Sequence, residues 1–493
     1  MRGTGQVTGV ACVLRYGLVL VLIGTGCTAV PLLGPREPEP ELALIYNPAA
    51  HYHGPDRNPI IVIPGLLGTR LVDQATGALA WGAFEASAAG TDPDGLRLLA
   101  LPVRDDIPVE ELMDGLEPDG VLEQIRIRLA GIPIEIEAYA RILATLGAGG
   151  YRDEALGLGG EIDYGPGHFT CFQFDYDWRL DNVANAQRLA AFIQEKRAYV
   201  QEEYRKLYGV DDAEVKFDIA AHSMGGLVTR WFLRYGAQGL GPNGEPPELT
   251  WEGAHFVERA ILVATPNAGS VQAFEDLVSG NQLAPLLPVY PPALIGTFPS
   301  AYQLLPRSRH RVVVWDGDRD RPVDLMDPAL WERMGWGLAS PGEAGILEAL
   351  LPGIEEPAER RRIALALQRR MLARAAAVHA VLDTPVQTPE GLALHLVAGD
   401  AAETASLVSV SSSDGRVKVI EHGPGDGTVL RSSALLDERV AEGWTPWLKT
   451  PIDWSHVLFL PNDHLGLTRS ATFRDNVLYW LLEAPRATRE QVP

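Results

Sequence analysis

The sequence predicts an α/β fold: a mostly parallel sheet covered by helices on both faces, with a large segment inserted late in the chain. Three observations predict it. Short apolar runs closed by Gly, Pro or Asp alternate with longer helical patterns, the β-α-β order that requires parallel pairing. The chain has 493 residues, 46% of them hydrophobic and 22% charged. That is enough to bury a large core, which excludes intrinsic disorder and disulfide-stapled miniproteins. The residues suited to chemistry fall where apolar runs end, the place where open α/β sheets hold their sites.

The first residues stand outside this fold. Arg2 and Arg15 precede the apolar run Gly17–Gly26, and small residues follow. Charged, apolar, small is the layout of an export signal, here residues 1–29, and the glycines and prolines around the run weaken a membrane-spanning reading. Thr25-Gly26-Cys27 resembles a bacterial lipoprotein cleavage box, which would make Cys27 the lipidated first residue. Gly24 stands where that box wants Leu, Val or Ile, so cleavage after Ala29 is the alternative. The expected location is therefore outside the cytoplasm, as a membrane-anchored lipoprotein or a secreted or periplasmic protein. Residues 30–58 are Pro-rich and read as a stiff, solvated tether.

Within the body, Pro59–Pro64 is a buried strand ended by Gly65. Ala138–Gly150 has helical spacing and a glycine stop, Phe169–Phe174 alternates as a strand, and Asn182–Tyr208 is a long helix. Lys216–Ala221 is a strand, Gly226–Tyr235 a helix, and Val257–Ala264, Leu392–Ala398 and Val457–Leu460 are further strands before a helix at Ala471–Glu483. The core thus has two parts, 59–274 and 391–485. Residues 275–390, rich in Pro and Trp and holding the basic helix Ala358–Leu382, read as a cap or lid over the site. The arginines of that helix could meet anionic lipid headgroups, though charge runs usually face water.

Formal charge is −22, from 42 Lys and Arg against 64 Asp and Glu. Such a surface repels phosphate backbones, so nucleic acid is not an expected partner. Cys171 alone would remain a free thiol in the lipidated form, so no internal disulfide is expected, and its alternating surroundings make it a small buried hydrophobe.

Ala221-His222-Ser223-Met224-Gly225-Gly226 follows a strand and opens a helix. That strand–turn–helix context is what the G-x-S-x-G nucleophile turn requires, with Ala221 in place of the first glycine. Ser223 is the candidate nucleophile. His222 is adjacent in the turn and points away, a poor base. A serine nucleophile needs a base and an acid that orients it, in the chain order Ser, Asp or Glu, His. His464 lies in the loop after the last strand, where a base belongs, while His456 begins that strand and reads as structural. Asp400 and Asp426 both follow the strand Leu392–Ala398, and spacing does not separate them. The apolar turn Pro64–Thr69 offers free N–H groups, so Leu67 and Met224 are the expected oxyanion donors. No metal motif, P-loop or dinucleotide glycine run is present in the needed context, so no cofactor is expected.

Together with Asp463-His464, five motifs in order (Ile63–Gly68, Tyr176-Asp177-Trp178-Arg179-Leu180, Ala221–Gly226, Ala264–Ser270 and Gly425-Asp426-Gly427-Thr428-Val429) resemble the lecithin–cholesterol acyltransferase-like family of α/β-hydrolases. The family also includes phospholipase A and phospholipid–diacylglycerol acyltransferase members. The resemblance implies Ser223, Asp426 and His464 as the triad, Leu67 as an oxyanion donor, and Trp81, Tyr176 and Trp178 toward the substrate. It implies a serine acyl-ester hydrolase (lipase, phospholipase or esterase) acting on lipid through an acyl-enzyme, with a membrane or lipid surface as partner. An O-acyltransferase using an alcohol acceptor is the first alternative, and a non-catalytic lipid-binding lipoprotein the second.

Overall fold

Six apolar segments set the frame. In the computed structural model, β1 (Ile60–Ile63), β2 (Cys171–Gln173), β3 (Phe217–His222), β4 (Val257–Val263), β5 (Ala393–Gly399) and β6 (His456–Leu460) form one sheet in the order β6-β5-β4-β3-β1-β2. Every pairing within it is parallel. The structure describes residues 40–82, 92–129, 132–137, 139–157, 167–282 and 289–485. The export signal and Cys27 lie outside them.

Alternation along each strand feeds two cores. Ile61 and Ile63 of β1 pack into one cluster with Phe172, Phe217 and Ile219, while Ile60 and Val62 pack into another with Cys171, Ala220 and Ile261. A sheet buried on both faces needs apolar residues at successive positions, and β3 is buried along its whole length. Cys171 is one such position, and burial pushes its thiol well up.

Helices cover the sheet: α1 (Ala140–Ala148), α2 (Asn182–Tyr208), α3 (Gly225–Tyr235), α4 (Val271–Ser279), α5 (Pro357–Leu382) and α6 (Ala471–Leu482). The bounds of α2 follow from its ends. The Asp181 carboxylate accepts from the N–H groups of Val183 and Ala184, and Gly209 closes the helix at φ 66°. No helix among the described residues is long and apolar enough to cross a membrane.

Two expectations need correction. First, the stretch read as a solvated tether is packed from Pro40 onward. Leu42 and Tyr46 bury against Leu478 of α6, and the Tyr46 hydroxyl donates to the Asp475 carboxylate at 2.7 Å. Arg57 donates to the Gly149 carbonyl. The apolar residues scattered among the prolines have a partner surface, and burial outweighs the polar composition. Second, no strand was expected between β5 and β6, yet Ala402–Val410 and Val417–Gly425 form an antiparallel pair. They belong to a four-stranded sheet with Val313–Trp315 and Asp318–Pro322, so the inserted segment is knitted into the second half of the core. The arginines of α5, read as a solvated face before a lipid-facing one, carry ion pairs while Arg362 and Arg369 stay half exposed. Arg362 pairs with Glu359 and Asp105, Arg369 with Glu332, and Arg374 with Asp181.

Candidate active site

The end of β3 turns sharply at Ser223, whose φ of 52° is left-handed. A non-glycine residue there is strained, and such strain persists only where the surroundings enforce it. Two contacts do so: the Ser223 N–H binds the Val263 carbonyl of β4 at 2.7 Å, and α3 begins at once with Gly225. Small neighbours are obligatory. A Cβ on Gly225 would strike the Pro64 carbonyl, and one on Gly65 would lie 2.8 Å from the Ser223 Cβ.

His464, in the loop after β6, places Nε2 3.0 Å from the Ser223 Oγ and Nδ1 2.8 Å from an Asp426 oxygen. Burial works against the Asp426 charge, but the adjacent His464 and the Val429 and Thr428 N–H groups outweigh it and hold this carboxyl below its usual range. Hydroxyl, imidazole and carboxylate in series can take a proton from the hydroxyl and stabilise the resulting imidazolium. Both ring nitrogens of His464 are engaged, which leaves no position for Asp400. The hairpin explains why: it leaves after Gly399 and returns with Ala402 opposite Gly425, delivering Asp426 beside the end of β5. His456 begins β6, at the other end of the sheet, with its ring stacked on His395 at 4.9 Å.

The turn after β1 carries a second strained residue. The Gly68 N–H closes on the Gly65 carbonyl at 3.1 Å, and Leu67 inside this turn has φ 64°. The Trp81 indole N–H fixes the Leu67 carbonyl at 2.9 Å. Neither the Leu67 nor the Met224 N–H donates a hydrogen bond among the described residues.

The Tyr-Asp-Trp-Arg motif braces this turn. Tyr176 donates to the Pro64 carbonyl at 2.9 Å, and Trp178 donates to the Thr69 carbonyl at 3.2 Å. Arg179 is fully buried between Asp177 and Asp114, with N–O distances of 2.7 and 2.6 Å. It is the structural ion pair at the base of the site. Downstream, Ser270 caps α4 and its hydroxyl donates to the Thr428 carbonyl at 2.7 Å, steadying the Asp426 loop.

Sequence reasoning missed one connection. The Tyr139 oxygen accepts from the Gly65 N–H at 2.7 Å and its O–H reaches His222 Nδ1 at 3.0 Å. With Nδ1 as acceptor, His222 Nε2–H donates to the His464 carbonyl, also at 3.0 Å. Burial, aided by the neighbouring His464, pushes His222 down to about 3, so it is neutral. The chain from Gly65 to His464 thus couples the turn after β1 to the loop of the imidazole.

Beside the turn lies a small cavity of about 50 Å³, walled by Leu66, Leu67, Trp81, Trp178, Tyr290 and Phe298 among others. Trp81 and Trp178, expected toward substrate, line it. Tyr176 stands behind the turn instead, its hydroxyl spent on Pro64. Asp276 and Asn281 also reach this space, and nothing in the local sequence marks them.

Residues 161–324 match the lecithin:cholesterol acyltransferase family. Comparison with curated proteins gives no match. Among solved structures, the chain is similar to one in the Tle4–Tli4 complex, at 14% identity and TM-score 0.49 over 86% of this chain and 98% of that one. It is also similar to the mature lipase BlEst2 of Bacillus licheniformis (12%, TM-score 0.30, 87% and 94%) and to lipase 1 of Pelosinus fermentans (13%, TM-score 0.33, 87% and 99%). The fold is α/β, a parallel six-stranded sheet, and residues 161–324 match the family that the motifs resemble.

Proposed function

We propose that the protein is a serine acyl hydrolase acting on ester-linked lipid, with Ser223 as nucleophile, His464 as base and Asp426 as its orienter. One observation carries this reading: the 3.0 Å and 2.8 Å contacts that link Ser223, His464 and Asp426 in series at the end of the sheet. His464 takes the Ser223 proton as Oγ attacks the ester carbonyl. The tetrahedral oxyanion faces the Leu67 and Met224 N–H groups, each worth a few kcal/mol in the transition state. Collapse returns the proton to the leaving alcohol and leaves an acyl-enzyme, which water hydrolyses by the same route. An alcohol replacing water would make the reaction an acyl transfer, and the family matched by residues 161–324 supports keeping that reading.

The inserted segment contributes Asp276, Tyr290 and Phe298 to the cavity, which supports its role as a cap. The charged, apolar and small order of residues 1–29 supports export, and intact mass of the mature chain tests acylation at Cys27. For the chemistry, a fluorophosphonate probe should label Ser223 in the unaltered chain and fail on Ser223→Ala. Undiminished labelling of that variant refutes the assignment. A parallel assay with phospholipid, with and without an added alcohol, separates hydrolysis from transfer.

A further inference from the structure

The cavity beside the Leu67 turn carries chemistry that a hydrocarbon pocket does not need. Tyr290, Trp81, Trp178 and Phe298 form a continuous wall, with successive ring centroids 5.9, 5.2 and 5.6 Å apart. Both indole N–H groups are committed to backbone carbonyls, so the wall offers carbon and π surface. Two acceptors share this space, Asp276 near the end of α4 and Asn281 just beyond it. The Asp276 carboxylate accepts from Gln272 at 2.7 Å and from the Asn281 amide. That leaves the Asn281 Oδ1 buried with no hydrogen-bond partner. Among the described residues lining the cavity there is no Lys, Arg or His. The site is therefore an apolar, largely aromatic cavity holding two acceptor side chains, with no cation among the described residues.

We propose that this cavity binds the ammonium group of a phospholipid headgroup. Asp276 supplies the counter-charge, the aromatic wall attracts the cation through its π faces, and Asn281 Oδ1 accepts an ammonium N–H. The last contact favours a primary ammonium, as in ethanolamine lipids, over a trimethylammonium, which has no N–H to give. Burial raises Asp276 to about 6, against the pull of its Gln272 and Asn281 hydrogen bonds, so it is mainly ionised at neutral pH. The frame is rigid where it matters, because the Asn281 and Tyr290 main chains exchange hydrogen bonds of 3.0 and 2.7 Å. An acyl chain in the same space would bury the carboxylate further and leave the Asn281 oxygen unsatisfied. The choice of a phospholipid rests on the acyl-ester reading of Ser223. Leu67 links the two, since it lines the cavity and offers its N–H to the reacting ester.

Binding tests this without turnover. Monomeric dihexanoyl phosphatidylethanolamine, phosphatidylcholine and phosphatidylglycerol are titrated into Ser223→Ala protein at pH 7.5, read by titration calorimetry. The ethanolamine lipid should bind about 10-fold or more tightly than the glycerol lipid, as a charge-assisted contact warrants. Asp276→Asn in that background should erase the difference. Asn281→Leu should bring ethanolamine down to the choline lipid while both stay tighter than glycerol. Equal affinity for the ethanolamine and glycerol lipids overturns the proposal, as does a preference that survives Asp276→Asn. If Asp276→Asn shows no thermal transition, Asn281→Leu decides alone: an ethanolamine-over-choline preference left intact overturns it. Hydrolysis of the same lipids by the unaltered chain is a separate readout, so failure of the Ser223 reading is distinguishable from failure of this one.

Discussion

Ser223 and Leu67 both sit in left-handed backbone, and each is held there by hydrogen bonds rather than by its own preference. The consequence is a site whose groups depend unequally on one another. Removing the base leaves the Ser223 proton without an acceptor, so His464→Ala should lower kcat on the order of 10³-fold or more. Asp426→Asn removes only the orienting carboxylate and should cost less, while Asp400→Asn should stay near the unaltered rate. If Asp400→Asn falls further than Asp426→Asn with folding intact, the acid is misassigned. His222 tests a different link. His222→Phe keeps an aromatic ring, somewhat larger than imidazole, but releases the His464 carbonyl and the Tyr139 hydroxyl, loosening both the imidazole loop and the Gly65 turn. We expect kcat to drop about 10-fold with KM nearly unchanged, since positioning of reacting groups is lost and substrate contacts are not. A rise in KM alone would make His222 a packing residue. Ser223 is legible in the sequence because its turn demands small neighbours within three residues. The Tyr139–His222 link is not, because a hydrogen bond across 83 positions leaves no local pattern.

At the level of elements, legibility follows burial. The inner strands are continuous apolar runs, and α2 carries its own start and stop in Asp181 and Gly209, so their bounds could be read nearly to the residue. The hairpin Ala402–Gly425 could not. Its second strand has a single buried residue, and its polar, Gly- and Pro-containing sequence imitates a loop. That one element also hid which carboxylate meets His464, since it brings Asp426 to the ring. The segment after Pro40 is illegible for the opposite reason: its composition is that of a tether, and a few apolar residues together with Arg57 dock it. Tyr46 is 3% exposed and spans the gap to α6. Tyr46→Ala should therefore destabilise the fold by about 3 kcal/mol, the usual cost of truncating a large buried side chain. For a chain of this length that is about 3 °C in the thermal midpoint. Scanning calorimetry checks it, with Ser223 labelling unchanged below the transition. A midpoint that does not move would return this segment to the status of a tether.

Across the whole molecule, buried histidines set the response to acid. His222, His379 and His395 are each pushed down to about 3, chiefly by burial, with neighbouring histidine and arginine side chains adding to it. The folded state refuses protons that the unfolded chain accepts below its ordinary histidine value near 6.5, so stability falls as pH drops through that value and continues to fall toward 3. At pH 5 each such histidine costs about 2 kcal/mol relative to neutral pH. Asp276 acts the other way. Its raised value, about 6, means the fold favours its protonated form and gains stability as pH falls through 6, by about 1 kcal/mol at pH 5. Relief of the −22 net charge near the pI of 4.9 also favours the fold, but surface repulsion is screened and weak beside three buried groups. The balance predicts a thermal midpoint lower by about 5 °C at pH 5 than at pH 7.5. His395 isolates the cause. Both its ring nitrogens are buried without partners, and it packs on Trp480 at 4.6 Å, so His395→Phe keeps the stack and removes the titration. That variant should lose about 3 °C over the same pH interval, roughly two-fifths less, because one of three equal costs is gone while the opposing Asp276 gain remains. A midpoint in the unaltered chain that holds or rises from pH 7.5 to 5 would mean that these histidines take up protons inside the fold.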